Sequence, residues 1–368
     1  MFANHTLRAM ATQSAIRANS GLEGVVAAET RLSMVDGERG ELVVAGQRIE
    51  ELAGRAFEDV VALLWEAAGF TGPRARAVPL PAATLALLRD AAARRAAPMD
   101  ALRIATGTLT AADDASAAAS LVGSFPTIVA AYSRLCAGRE PLEPRASLGL
   151  AANYLYMSTG AEPHPELVRG LETYLATVAD HGLNASTFTA RVIVSTGADF
   201  VSAVTGAVGA LKGPLHGGAP GPALDTVFEI GDASRAELVL RRKLERGERL
   251  MGFGHRVYKV RDPRADVLAA AAQRMFARAG DARLYELARS VEATALRLLE
   301  EYKPGRRLKT NVEFYTALLL CGLELDAAFF TPTFAIGRVA GWTAHCFEQR
   351  ALGRLIRPQS VYVGAIPA

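Results

Sequence analysis

Apolar residues recur along most of this chain at the three- and four-residue spacing of a helix, and that periodicity restricts the fold more than any single motif does. Phe57, Val60, Val61, Leu64 and Trp65 fall on one helical face, and Val291, Ala295, Leu298 and Leu299 do the same much later. Such a face has to be buried against another element, so a chain built this way folds as packed helices. The exception lies near the start. "MVDGERGELVVAG" sets the turn formers Asp36-Gly37 and Gly40 beside the β-prone run Leu42-Val43-Val44, which predicts a small hairpin. Pro and Gly interrupt the apolar pattern at "PLPAAT", "GSFPT", "REPLEPR", "GAEPHPE" and "EYKPGRRL", and short loops are expected there. "TAADDASAAASLVGS" reads as a helix behind an acidic start. The expected class is mainly α, with a small N-terminal β-hairpin.

At 368 residues and 50% hydrophobic, the chain can bury a large core and divide into two domains. Its 41 Lys+Arg against 38 Asp+Glu leave a net charge of only +3, which gives nucleic-acid binding no support. No stretch approaches 18 uninterrupted apolar residues, so no membrane-spanning helix is expected. Cys136, Cys321 and Cys346 are an odd, scattered set that makes neither a disulfide framework nor a Cys-x-x-Cys site, and a reducing, cytoplasmic setting fits them best. "MFANHTLRAMATQSAIRANS" carries Arg8, Arg17, hydroxyl residues and no acid, as an organellar targeting peptide does. Its basic content is low, and a frayed or helical extension is the plainer expectation.

Six histidines occur, at 5, 164, 181, 216, 255 and 345. His181 opens "HGLNASTFTARV", His216 sits in "LKGPLHGGAP", and His255 ends "MGFGH". Glycines beside an imidazole let a ligand approach closely and leave backbone N–H groups free to orient negative charge. One such histidine alone would more often be structural; His216 and His255 in two such loops point to chemistry. Their separations lack a compact ligand motif, so no metal is expected. After His255, "RVYKVRDPRA" adds Arg256, Lys259, Arg261 and Arg264, which suits either a solvated basic loop or a polyanion gripped by the planar forks of arginine. Glu313 opens the apolar helix of "TNVEFYTALLL", an ordinary place for an acid. Histidines, carboxylate and arginines together would supply the base, the carbonyl-polarising donors and the carboxylate clamps that carbon-acid chemistry needs.

The ordered series "GLEGVVAAETRLSMVDG", "HGLNASTFTARV", "ALKGPLHGGA", "MGFGHRVYKVRDPRA", "NVEFYTALLL", "GRVAGWTAHCFEQ" and "RLIRPQSVYVG" resembles the citrate synthase family over nearly the whole chain. The resemblance implies a helical homodimer, its large domain formed by residues 1–218 and 324–368 and a smaller mobile domain by residues 219–323. It implies that Glu313 removes a methyl proton from acetyl-CoA while neutral His216 hydrogen-bonds the thioester oxygen. His255 would polarise the ketone of oxaloacetate, and the citryl-CoA formed would be hydrolysed to citrate and CoA. His181, Arg264, Arg338 and Arg357 match positions that hold the dicarboxylate, with Arg357 lent by the neighbouring subunit. The backbone of Leu250, Met251, Gly252, Phe253 and Gly254 matches the segment that receives the CoA adenine. CoA is then cosubstrate and product, with no tightly bound cofactor.

The chain departs from the family pattern in three places. "NVEFYT" stands where "NVDFYS" is commoner, "HGGAPG" replaces "HGGANE", and "AAPMD" lacks the histidine of "HPM". Reference pKa values of about 3.9 and 4.3 make Asp and Glu similar bases. Reach is the difference, since a displacement of about 1 Å at a reacting centre can lower a rate roughly 100-fold. Two alternatives follow: a 2-methylcitrate synthase using propionyl-CoA, because one methylene offers only about 1–3 kcal/mol of discrimination, and a catalytically weak sensor of acyl-CoA and dicarboxylate.

Overall fold

A computed structural model describes residues 21–22, 24–216, 220–255, 257–278 and 282–365. The N-terminal extension, the Gly217-Gly218-Ala219 part of the His216 loop and Arg256 lie outside the described residues.

The expected hairpin forms from β1 (Ser33–Asp36) and β2 (Glu41–Val44), antiparallel with Val35 opposite Leu42. Asp36 makes the turn, its carboxylate accepting the N–H groups of Glu38 and Arg39 while its carbonyl accepts that of Gly40. A short third strand, β3 (Gln47–Arg48), which the sequence did not announce, pairs with the end of β2. Leu42 and Val44 are the buried side chains of β2, and Leu32, just before β1, is buried too.

Helices make up the remaining regular elements among the described residues. Phe57–Ala67 buries Phe57, Val60, Val61, Leu64 and Trp65, and Arg283–Tyr302 buries Val291, Ala295, Leu298 and Leu299, the faces that the periodicity marks. The helix Asp114–Cys136 begins on a capping box in which Asp113 accepts the Ser116 N–H. It does not stop at "GSFPT": Pro126 lies inside it, which corrects the expected loop. A proline inside a helix removes one ladder donor and opens the turn before it. Here the segment around Val78 crosses at that turn, its N–H bonding the Gly123 carbonyl at 3.2 Å and its own carbonyl accepting the Thr127 hydroxyl at 2.9 Å. Gly123 permits the crossing, since a Cβ there would fall 2.3 Å from the Arg76 carbonyl oxygen. This helix is long and apolar enough to cross a membrane by length and composition, yet 78% of its most apolar window is buried inside the protein.

The second central helix, Phe330–Leu352, packs on Phe57–Ala67, Asp114–Cys136, Pro165–Val178, Ala185–Ser195 and Phe200–Leu211. Gly337 and Gly341 set its depth. A Cβ at Gly337 would lie 2.9 Å from the Leu175 carbonyl oxygen, and one at Gly341 would lie 2.3 Å from that of Ala179. Backbone therefore meets backbone where Pro165–Val178 ends, and the Gly341 N–H bonds the Ala179 carbonyl at 3.1 Å. Farther along the chain, Pro263–Arg278 packs on Val312–Gly322 and on Pro165–Val178.

Candidate active site

His181 leaves the end of Pro165–Val178 in a turn that needs Gly182 at φ +62°, and Asn184 then caps Ala185–Ser195 by accepting the Thr187 N–H at 3.1 Å. The His181 ring lies 5.8 Å from that of His255, centroid to centroid, and its Nε2 is 3.2 Å from the Tyr258 hydroxyl. Burial, together with the positive charges of Arg264 and Arg338, holds His181 well below the ordinary histidine pKa.

His255 is fixed by its own loop. Its Nδ1 accepts the backbone N–H groups of Val257 at 3.1 Å and Tyr258 at 3.0 Å. A ring nitrogen that accepts cannot carry a proton, so the neutral ring carries it on Nε2, which makes that atom a donor. Burial lowers the His255 pKa to about 4; Arg264 and Lys259 help, and Asp262 opposes them.

The arginine of "RDPRA" is set by the aspartate before it. Buried Asp262 accepts the Arg264 backbone N–H at 3.1 Å, its Nε at 3.0 Å and its Nη2 at 2.8 Å, and also the Val312 N–H at 3.2 Å. One carboxylate thus orients Arg264 and pins the start of Val312–Gly322, the helix that carries Glu313. Asn311 does the second half of that work. Its Oδ1 caps the helix by accepting the Glu313 N–H at 3.0 Å, while its Nδ2 donates to the Gly254 carbonyl at 2.8 Å and its backbone N–H to that of Gly252 at 3.0 Å. Phe253 bridges to Thr310, so the Leu250–Gly254 segment lies along the chain leading to Glu313. Gly252 and Gly254 both have left-handed φ, +88° and +86°, and a Cβ at Gly252 would press on Phe314 at 3.0 Å. Burial raises the Glu313 pKa above the ordinary carboxylate value, against the pull of Arg264 and with help from Asp262.

His216 follows Phe200–Leu211, and its Nε2 lies 2.8 Å from the Ser186 hydroxyl. That hydroxyl also accepts the Trp342 indole N–H at 3.1 Å and lies 2.8 Å from Asn184 Oδ1. Ser186 has one proton and two neighbours able to take it. Burial, then Arg338, lowers the His216 pKa to about 4. Arg338 is buried on Phe330–Leu352 between Gly337 and Gly341 and donates Nε–H to the Val178 carbonyl at 2.6 Å. Burial lowers its pKa to about 10, with Asp180 opposing and Arg264 adding.

The sequence-predicted residues His181, His255, Arg264, Arg338, Glu313, His216 and Leu250–Gly254 are therefore linked through shared partners or mutual electrostatic influence. Arg357 is not: it is exposed on the tail that follows Phe330–Leu352. Sequence reasoning missed Asn184, Ser186, Tyr258, Asp262, Asn311 and Trp342. Asn311, just before an apolar helix, carried the N-cap signature and was open to discovery; the others carried no local signal. Among the described residues no group of three or more His, Cys, Asp or Glu is placed to hold a metal ion.

Residues 21–359 match the family model described as citrate synthase, C-terminal domain. The chain belongs to the citrate synthase family. It is 38% identical to the citrate synthase of Haloferax volcanii over 94% of this chain and 95% of that one. Identity to citrate synthase 2 of Bacillus subtilis is also 38%, over 94% of this chain and 96% of the relative. The crystal structure of citrate synthase from Pyrobaculum aerophilum superposes with a TM-score of 0.85 at 34% identity, covering 96% of this chain and 95% of that one. A citrate synthase from Thermoplasma acidophilum, solved in ternary complex with carboxymethyl coenzyme A and oxaloacetate, gives a TM-score of 0.85 at 28% identity, covering 96% of this chain and 97% of that one. As a member of the family, the chain is an acyl-transferring enzyme of the citrate synthase type.

Proposed function

We propose that this chain condenses acetyl-CoA with oxaloacetate and hydrolyses the citryl-CoA formed, using Glu313, His216 and His255. The observation that carries the reading is the pairing of a partly buried carboxylate of raised pKa with neutral imidazoles held as hydrogen-bond partners. Glu313 takes a methyl proton from acetyl-CoA, and the electron pair left behind moves toward the thioester oxygen. His216 donates Nδ1–H to that oxygen in the tautomer selected when Ser186 turns its proton toward Nε2. The enol carbon then bonds the ketone carbon of oxaloacetate, whose oxygen is polarised by His255 Nε2–H. Water cleaves the thioester, releasing citrate and CoA.

His181, Arg264 and Arg338 hold the dicarboxylate of oxaloacetate, and the backbone of Leu250–Gly254 receives the CoA adenine. Arg357 completes the carboxylate site from a second copy in a homodimer, a reading supported by its exposure on a tail that also exposes Leu355, Tyr362 and Val363. Residues 219–323 contribute His255, Arg264 and Glu313 and move as a unit to close the site and exclude water.

CoA release by the purified protein, with oxaloacetate and either acetyl-CoA or propionyl-CoA and the acid product identified chemically, tests the reading. Glu313→Gln is expected to lower kcat at least about 100-fold, the scale of general-base catalysis, with substrate binding retained. Undiminished citrate formation by Glu313→Gln would refute the assigned role, and a higher kcat/KM for propionyl-CoA would reassign the substrate.

A further inference from the structure

We propose that the N-terminal sheet is a positioning clamp for oxaloacetate recognition: Ser33 holds the turn carrying His181, and Gly37 holds the loop carrying His255. The inference rests on the dicarboxylate and ketone roles assigned above to those two histidines.

Strand β1 starts beside one imidazole and leads to the other. At its first residue, the Ser33 hydroxyl donates to Asp180 Oδ2 at 2.5 Å and accepts the Gly182 N–H at 2.8 Å. These are the chain neighbours of His181, so a single side chain ties both sides of the histidine. Ser33 and Val35 also back onto Gly182, each within 3.9 Å of where a Cβ there would sit.

The turn beyond β1 presses on the other loop. The Gly37 carbonyl accepts the Lys259 N–H at 2.8 Å, and a Cβ at Gly37 would lie 2.3 Å from the Val257 carbonyl oxygen. A Cβ at Gly40 would meet Val260 Cγ2 at 2.7 Å and the Arg261 carbonyl oxygen at 3.2 Å. Gly37 does not have a left-handed backbone, so proximity alone calls for glycine there. The pressed residues matter, because the N–H groups of Val257 and Tyr258 fix the His255 ring.

The clamp is itself anchored to the helix that carries Arg338. The Arg31 N–H, just before β1, donates to Glu348 Oε1 at 2.8 Å. Asp180 lies 3.2 Å from His345 Nε2, and the other nitrogen of that ring lies 3.0 Å from buried Arg191 Nη1. His345 and Glu348 both belong to Phe330–Leu352. With residues 257–261 against it, the sheet refers both imidazoles to the element that holds the arginine, and a movement of residues 219–323 away from it would release the Gly37 side of the clamp; neither Ser33 nor Gly37 acts on a reacting atom. They are positioning residues.

The test compares Ser33→Ala, Ser33→Thr and Gly37→Ala with His181→Ala in the full-length protein, measuring KM and kcat for each substrate and thermal unfolding. Ser33→Ala and Gly37→Ala are expected to raise KM for oxaloacetate about tenfold, as a sub-ångström displacement of a binding group would, with KM for acetyl-CoA within about twofold of the parent. Ser33→Thr, which keeps the hydroxyl, should restore the parent value. Losses that are equal for both substrates and follow a lowered Tm would make the sheet an ordinary fold element and overturn the proposal. An oxaloacetate KM unchanged in both Ser33→Ala and Gly37→Ala, while His181→Ala loses saturation, overturns the clamp and leaves the site assignment standing. Retention of normal oxaloacetate KM by His181→Ala would instead remove the assignment on which the clamp rests.

Discussion

His255 accepts two backbone N–H groups on one ring nitrogen, whereas His216 meets a single hydroxyl that can turn. Backbone amides cannot exchange donor for acceptor, so the fold allows His255 one neutral tautomer. Ser186 can give its proton to Asn184, leaving His216 protonated on Nε2, or to His216, leaving the proton on Nδ1. Both rings are neutral at pH 7 because burial lowers both to about 4. What separates them is how the remaining proton is placed. A ketone that needs one steady donor suits the first arrangement, and a thioester oxygen whose charge grows and then disappears suits the second.

The largest expected effect comes from removing the fixed donor. His255→Ala should lower kcat by about 100- to 1,000-fold, the scale for loss of one preorganised donor to a developing oxyanion, read in steady-state CoA release. Ser186→Ala attacks the adjustable arrangement and should lower kcat about tenfold, the worth of one hydrogen bond of roughly 1.4 kcal/mol. Imidazole ¹⁵N shifts sharpen that result: the tautomer of His216 should change in Ser186→Ala while that of His255 stays. Trp342→Phe removes the indole donor to Ser186 and leaves a gap where the larger buried ring stood, so its Tm should fall, while kcat should change by about threefold or less, the effect of less than 1 kcal/mol.

Acid should treat the two rings alike. An unfolded histidine takes up its proton near the ordinary value of 6.5, while these folded ones resist to about 4. Below the unfolded value the unfolded chain binds more protons, so the stability that the neutral rings contribute is full above pH 6.5 and is lost as pH falls toward 4. The urea midpoint should fall across that window, and each of His216→Gln and His255→Gln should flatten the fall. A midpoint constant from pH 7 to 4 would mean that the rings are not held neutral by burial.

Much of this arrangement was legible. Helical periodicity marked the buried faces of Phe57–Ala67 and Arg283–Tyr302, and the glycines of "MGFGH" marked an imidazole in a permissive loop, but not the left-handed turns at Gly252 and Gly254 or their place beside the start of Val312–Gly322. The proline of "GSFPT" misled because what tolerates it, the Val78 segment, arrives from 48 residues away in sequence. Distance along the chain hid the rest. Trp342 meets Ser186 across 156 residues, and His345 meets Asp180 across 165. Pairings of that kind are fixed only when the helices pack, and no local pattern encodes them.

The contact of Gly337 and Gly341 with the 175–179 backbone also bears on how the site tolerates change. Side chains that pack against each other can swap rotamers and absorb a small error; two main chains in contact have no torsion with which to do so. The separation between Arg338 and the His181 turn behaves like the length of a machined part, set by atom radii. Evolution can retune the residues that face the substrates one at a time, but a single added methyl at position 341 would move the arginine and the histidine together.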